Sequence, residues 1–185
     1  MTVTTLLPPF EALLRTVEEM SLPAGFKAEI IRGRTVVSPP HELRCLRPLR
    51  ALRRQLEAGA PAGHVAETFP ALFTFPSARS AYGPDLFVAD ESALDEDCRH
   101  ADGGALSLVT EFTSVSTPGA GHWNEKLEVY GLLVPVCLLV DVPGSEITCF
   151  ADRSPHGYRS RTTVSFGEGL PVPEPFGSVF VTAGF

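Results

Sequence analysis

The sequence predicts an α/β (α+β) fold: a mixed sheet flanked by helices, with an N-terminal helix and hairpin. Two observations predict it. Runs of strand period and runs of helix period alternate through the middle of the chain. Two further runs, Ala105 to Thr113 and Val134 to Val140, are suited to strands buried on both faces, which form the interior of a sheet covered by helices.

Each element follows from local pattern. Pro8 and Pro9 precede Phe10, Leu13, Leu14 and Val17 at helical spacing, which predicts a first amphipathic helix over residues 8 to 20. Ala28 to Ile31 and Thr35 to Val37 alternate as strands, and Arg32-Gly33-Arg34 between them reads as a tight turn. Residues 41 to 57 read as a second helix, with Leu43, Leu46, Leu49, Leu52 and Leu56 on one side. Arg44, Arg47, Arg50, Arg53 and Arg54 fall largely on the other. Pro48 kinks that helix or marks its true start. Short strands are expected at His64 to Thr68, Leu72 to Phe75 and Asp85 to Ala89, and an exposed loop over Asp90 to Gly104. A helix over Trp123 to Leu133 follows the Ala105 strand. Glu146 to Phe150 makes a hairpin with the Val134 strand through Pro143-Gly144, and Tyr158 to Phe166 is strand-like. From Gly167 the Pro/Gly-rich tail is expected to be irregular cover.

At 185 residues the chain is long enough for one substantial core and short for two, so a single domain over 1–185 is expected. A hydrophobic content of 44% with 20% charged residues excludes a fibrous or disordered chain. The net charge of -7 gives no global attraction for a polyanion, so any contact with nucleic acid has to come from local basic groups. The arginine-rich helix is the best local candidate, although a solvated helix face carries the same pattern. Cys45, Cys98, Cys137 and Cys149 are widely spaced, without C-x-x-C pairs or histidines at zinc spacing. They read as free thiols in a reducing compartment. Met1 to Leu7 has no basic region before an apolar run, and no stretch approaches the roughly 18 apolar residues of a membrane span. A cytoplasmic protein without a membrane partner is expected.

Three acids sit in or beside predicted strands where apolar residues are the rule: Glu29, Asp85 and Glu111. An ionised carboxylate in such surroundings is costly unless it is paired or bound to a cation. Mg²⁺ takes oxygen ligands, with one or two carboxylates and the rest water or phosphate. Lys126, on the helix after the Glu111 strand, is placed to reach back over the strand ends. Beside a metal-bound water, an ammonium helps orient the nucleophile and offsets charge in the transition state. Singly, each residue has an ordinary explanation. Glu29 fits a sheet edge or an ion pair, Asp85 a turn after Pro84, and Lys126 a solvated pair with Glu125 or Glu128. Only the combination suggests a site.

The motifs also resemble a known family. Pro84-Asp85-Leu86, Glu111-Phe112-Thr113-Ser114 and Lys126-Leu127-Glu128-Val129-Tyr130-Gly131 occur in that order, followed by Pro135-Val136 and Leu138-Leu139-Val140-Asp141. Together with Glu29-Ile30-Ile31-Arg32-Gly33 and Ser38-Pro39-Pro40-His41 upstream, they resemble the Uma2 (DUF820) family of endonucleases, in the PD-(D/E)XK nuclease superfamily. The resemblance implies a restriction-endonuclease-like fold, Asp85 and Glu111 as metal ligands, Glu29 as an accessory carboxylate and Lys126 as the catalytic lysine. It also implies Mg²⁺ (or Mn²⁺) as cofactor and DNA as the partner. Three positions depart from it or stand at its margin. Thr113 occupies the place where strict superfamily members carry the lysine. His122 stands where family members show an aspartate four residues before the helix lysine. His41 matches a family position and is an accessory candidate.

The expected function is therefore a metal-dependent endonuclease hydrolysing phosphodiester bonds in DNA, a Mg-dependent endodeoxyribonuclease. Alanine at Asp85 or Lys126 is expected to abolish cleavage with the fold intact. The alternative is a degenerate nuclease fold serving as a binding or assembly module, as a homodimer through a sheet edge or its C-terminal strands. Hydrolysis of another phosphoester at the same site is a third reading.

Overall fold

A computed structural model describes residues 8–68, 70–94, 97–113 and 120–185. The first helix, α1 (Phe10–Glu18), begins after Pro9 and buries Leu14 and Val17. The hairpin follows as β1 (Lys27–Ile31) and β2 (Arg34–Ser38). Its turn is the two residues Arg32 and Gly33, with φ of 48° and 77°. Both are left-handed, as a two-residue turn between twisted strands demands, and glycine meets that demand without steric cost. The Arg32 amide donates to Ser80 Oγ at 2.9 Å, which pins the non-glycine half of the turn.

A 3-10 turn at Leu43–Cys45 leads into α2 (Leu46–Gly59). Pro48 thus lies in the first turn of the α-helix, where its missing N–H costs nothing. The strands β3 (His64–Glu67), β4 (Leu72–Phe75), β5 (Ser80–Tyr82), β6 (Leu86–Asp90), β7 (His100–Asp102) and β8 (Leu106–Thr113) come next. The helix α3 (Ala120–Leu133) then crosses to β9 (Val136–Asp141), β10 (Glu146–Ser154) and β11 (Gly157–Ser165). The chain closes with β12 (Gly169–Val172) and β13 (Ser178–Val181).

The described strands form two larger sheets, both mixed, together with a small hairpin. One sheet runs β11-β10-β9-β8-β6-β3 and the other β2-β1-β5-β4-β7. The first is mixed: β8 and β9 are parallel, joined across α3, while its other described pairs are antiparallel. Its interior strands alternate between two cores. Leu108, Phe112, Val136, Leu138, Val140 and Ile147 face α2 and the terminal hairpin. Val109, Cys137 and Phe150 face α3 and the second sheet.

Three expectations need correction. Between Asp90 and Gly104 the chain is not a plain loop. It contains β7, which pairs parallel with β4, and turns capped by the Asp90 and Asp102 carboxylates. A three-residue strand is too short to show a period. Residues 95–96 of that stretch, and residues 114–119 with Ser114 of the E-x-T-S motif, lie outside the described residues. The tail is a β-hairpin, not irregular cover, and buries Leu170, Val172, Phe176 and Phe180. Its prolines mask the alternation, and a two-stranded edge tolerates them. Gln55 ties off β13, donating to Val181 O at 2.9 Å and accepting from Val181 N at 2.6 Å. Finally, Leu43 is 87% exposed and Leu46 half out of the core, because the tighter 3-10 turn rotates the start of the segment away from the Leu52 and Leu56 face.

Gly131 is where α3 meets the β10–β11 hairpin. A Cβ there would stand 2.7 Å from Gly157 Cα and 2.8 Å from Tyr158 N, and backbone atoms cannot rotate aside. Gly131→Ala is expected to destabilise by about 1–3 kcal/mol despite its better helix propensity, seen as a lower urea midpoint at unchanged m-value.

Candidate active site

Strand period decides which side chains of β1 meet the site. Ala28 and Ile30 turn toward α1, so Lys27 and Glu29 turn the other way. On β8 the same alternation sets Glu111 beside Val109 on the face under α3. On α3, Lys126 and Tyr130 are four residues apart and share one side. Asp85 stands just ahead of β6, its N–H donating to Thr110 O at 3.1 Å. Four elements therefore deliver one cluster at the junction of the two sheets.

Its centre is Lys126, 7% exposed, whose Nζ donates to Glu29 Oε1 at 2.7 Å and Glu111 Oε1 at 3.1 Å. Tyr130 Oη donates to the same Glu111 Oε1 at 2.7 Å. Glu29 Oε1 also accepts from Gly83 N at 2.8 Å. The Tyr82 ring lies 5.5 Å from the ammonium and closes its apolar side. Asp85 is held differently: Oδ2 accepts from Phe112 N at 2.8 Å, while Oδ1 accepts from Lys27 Nζ at 2.9 Å. His41 Nε2 lies 2.9 Å from Asp85 Oδ2 as an ion-pair contact, off the line of a hydrogen bond. Lys27 Nζ is also 3.9 Å from Glu111 Oε2 and donates to Gly83 O at 2.9 Å.

One oxygen of each acid is thus engaged by fixed groups. The other, Asp85 Oδ1 and Glu111 Oε2, is turned toward Lys27. A positive charge already sits between the two carboxylates, so the pair is arranged for a cation. Two carboxylates plus water suit a hard divalent ion. Among the described residues no group of three or more His, Cys, Asp or Glu is set to hold a metal.

Burial and neighbours pull these groups apart electrostatically. Burial would raise Asp85, but Lys27 and then His41 hold it well below the usual carboxylate range. Burial would likewise raise Glu29, and Lys126 followed by Lys27 brings it down. Glu111 is pushed up by burial, with Asp85 and Glu29 adding to the push against the pull of Lys126 and Lys27. Burial works against charge on Lys126, but Glu111 and Glu29 outweigh it and keep the ammonium protonated.

Asp85, Glu111, Lys126 and Glu29 are therefore brought together. His41 reaches the cluster through Asp85. His122 does not: its Nδ1 is 3.6 Å from Glu125 Oε1, a carboxylate already bound by Arg34. Thr113 also turns away, donating to Asp141 Oδ1 at 2.8 Å. Lys27 and Tyr130 were missed as site residues. Lys27 is two residues before Glu29 on a period-two strand, and Tyr130 one helical turn beyond Lys126, so spacing held both signals. The cluster opens through Lys27, Gly83 and Asp85 into a groove of about 1170 Å³ that Phe26, Phe87 and Arg99 also line.

A mixed sheet with helices on its faces and buried acids bridged by lysine defines a restriction-endonuclease-like domain. The chain belongs to the Uma2 family: the family model described as "Putative restriction endonuclease" matches residues 11–183. The crystal structure of "a putative nuclease belonging to DUF820" from Anabaena variabilis shares the fold, with a TM-score of 0.69 at 14% identity. The alignment covers 92% of this chain and 91% of that one. No curated protein matches.

The pH dependence follows in sign. Asp85 and Glu29 bind protons more weakly folded than unfolded. Their contribution is full above their ordinary values of 3.8 and 4.5 and is lost as pH falls through the lower folded values. Glu111 acts oppositely, contributing below its ordinary 4.5 and losing that contribution as pH rises through its folded value. Asp85→Asn is expected to flatten the acid limb of thermal stability against pH, and Glu111→Gln to preserve it. An Asp85→Asn profile as steep as wild type would count against the pairing.

Proposed function

We propose that this chain is a Mg²⁺- or Mn²⁺-dependent endonuclease that hydrolyses phosphodiester bonds in DNA. One observation carries the reading. Side chains far apart in sequence, from four separate elements, converge on a buried acid–lysine cluster at the floor of an open groove. The family description, a restriction endonuclease, supports DNA as the substrate.

Asp85 and Glu111, each with one oxygen turned toward Lys27, would hold the metal. When bound, the ion polarises a phosphoryl oxygen and makes water nucleophilic near neutral pH. Lys126 holds positive charge where the phosphoryl centre gains negative charge, and Glu29 keeps it there. Tyr130 fixes the rotation of Glu111 by occupying Oε1, and the Phe112 amide does the same for Asp85 at Oδ2. Lys27, whose side chain is 29% exposed, supplies the positive charge between these two acids that a bound cation would replace.

Purified protein is expected to cut duplex DNA with Mg²⁺ or Mn²⁺ and not in EDTA. Asp85→Asn and Glu111→Gln are expected to lose about 10³-fold or more in rate, the equivalent of several kcal/mol of charge stabilisation. Lys126→Met is expected to lose activity too, but also about 3–5 kcal/mol of stability, because it leaves two carboxylates buried without their ammonium. The fold-neutral outcome expected of a helix-surface lysine does not suit a lysine this buried.

The second reading, a non-catalytic module of the same fold, is favoured by Lys27 lying between the acids and by His122 in place of the family aspartate. Calorimetric titration with Mn²⁺ separates the two. On the nuclease reading Lys27→Met binds Mn²⁺ at least about tenfold more tightly than wild type, since an internal competitor is gone. If neither protein binds, the module reading takes over.

A further inference from the structure

The buried side of α2 is built from Pro48, Leu52 and Leu56. Opposite it stand Arg47, Arg50 and Arg54, at spacings of three and four residues. The three point the same way within about 60° of arc and along about 10 Å of helix. All three are exposed. Their neighbours are neutralised: Arg44 pairs with Glu42, and Arg53 with Glu57 and Glu67. Arg47, Arg50 and Arg54 have no ion-pair or hydrogen-bond partner among the described residues, in a chain that carries 22 acids against 15 Lys and Arg. A stripe of unpaired guanidinium groups therefore stands out on an otherwise acidic molecule.

The helix that carries the stripe is tied to the site through residues beside the stripe. His41, just ahead of the turn that starts this helix, meets Asp85, and Glu67, which binds Arg53, lines the groove above the acids. We propose that Arg47, Arg50 and Arg54 form a surface that docks the phosphate backbone of duplex DNA along α2, on the face of the six-stranded sheet opposite α3. This rests on the nuclease reading and adds the substrate-holding surface to it. A guanidinium fork matches phosphate oxygens. Duplex DNA presents about one charge per 1.7 Å of axis, so a 10 Å stripe meets several phosphates at once. Contacts of this kind fix register and orientation without reading sequence.

The test is fluorescence anisotropy of a labelled mixed-sequence duplex with the full chain over a KCl series, in EDTA and in Ca²⁺. The triple variant Arg47→Ala/Arg50→Ala/Arg54→Ala is expected to bind at least tenfold more weakly at low salt. Its slope of log affinity against log salt is expected to be shallower by about 0.9 per lost contact, so by about 2.7 in all. Its thermal stability should match wild type, because the three side chains are exposed and make no ion pair or side-chain hydrogen bond with the described residues. Arg159→Ala, which breaks a surface pair with Asp152, should bind as wild type does. Wild-type slope and affinity in the triple variant overturn the proposal. So does a wild type that cuts DNA with Mn²⁺ yet shows no salt-dependent duplex binding, which leaves the nuclease reading standing. Loss of binding in the triple variant, with a wild type that binds but never cuts, upholds the docking surface and overturns the nuclease. Binding of poly-glutamate as tight as that of the duplex overturns it in favour of an acidic protein partner.

Discussion

The structure depends on burying three carboxylates and two ammonium groups within hydrogen-bond range of one another. Each ion taken from water alone costs several kcal/mol, so none is tolerable singly. Together they nearly cancel: Glu29, Asp85 and Glu111 against Lys27 and Lys126. The remaining lone pairs are taken by groups that cannot move far, the amides of Gly83 and Phe112 and the hydroxyl of Tyr130. Because the members come from β1, the turn before β6, β8 and α3, the cluster fixes those four elements relative to one another.

That constraint explains features of the fold that hydrophobic burial alone leaves open. The segment Gly83–Asp85 passes from one large sheet to the other, and both its ends are held by cluster members. Gly83 binds Glu29 through its amide and Lys27 through its carbonyl, while Asp85 accepts from β8. Gly131 lets α3 lie close on the β10–β11 hairpin, which brings Lys126 and Tyr130 down to Glu111. Packing density and polar satisfaction thus point to the same arrangement, as a chain that specifies one structure requires.

Much of this was legible in sequence. Strand interiors of Leu, Val and Phe announced β8 and β9, and carboxylates placed where apolar residues belong announced the acids. The elements that escaped were short or punctuated. β5 and β7 are three residues each, and β12 carries Pro171 within it. The site was legible in its members but not in its wiring. Tyr130 escaped although it lies one helical turn beyond Lys126, because only the fold shows that both donate to the same oxygen of Glu111. His122 was a candidate because of its place in a motif. Its neighbour Glu125 belongs to a separate surface network with Arg32 and Arg34, and His122 is drawn there.

The two lysines differ in a way that bears on chemistry. Lys126 is enclosed, walled by Tyr82 and Tyr130, and bound on two sides, so its ammonium keeps one place whatever enters the groove. On the nuclease reading, such a fixed charge would be preorganised for developing negative charge and would not have to reorganise. Lys27 is attached to the end of a strand, has a side chain 29% exposed, and faces the groove. It gives the two acids a counter-charge at the oxygens that no fixed group engages. Without it, Asp85 and Glu111 would face each other with no positive charge between those oxygens, a costly arrangement for buried carboxylates. β1 and α3 thus supply one ammonium at the groove and one enclosed ammonium to a single acid cluster.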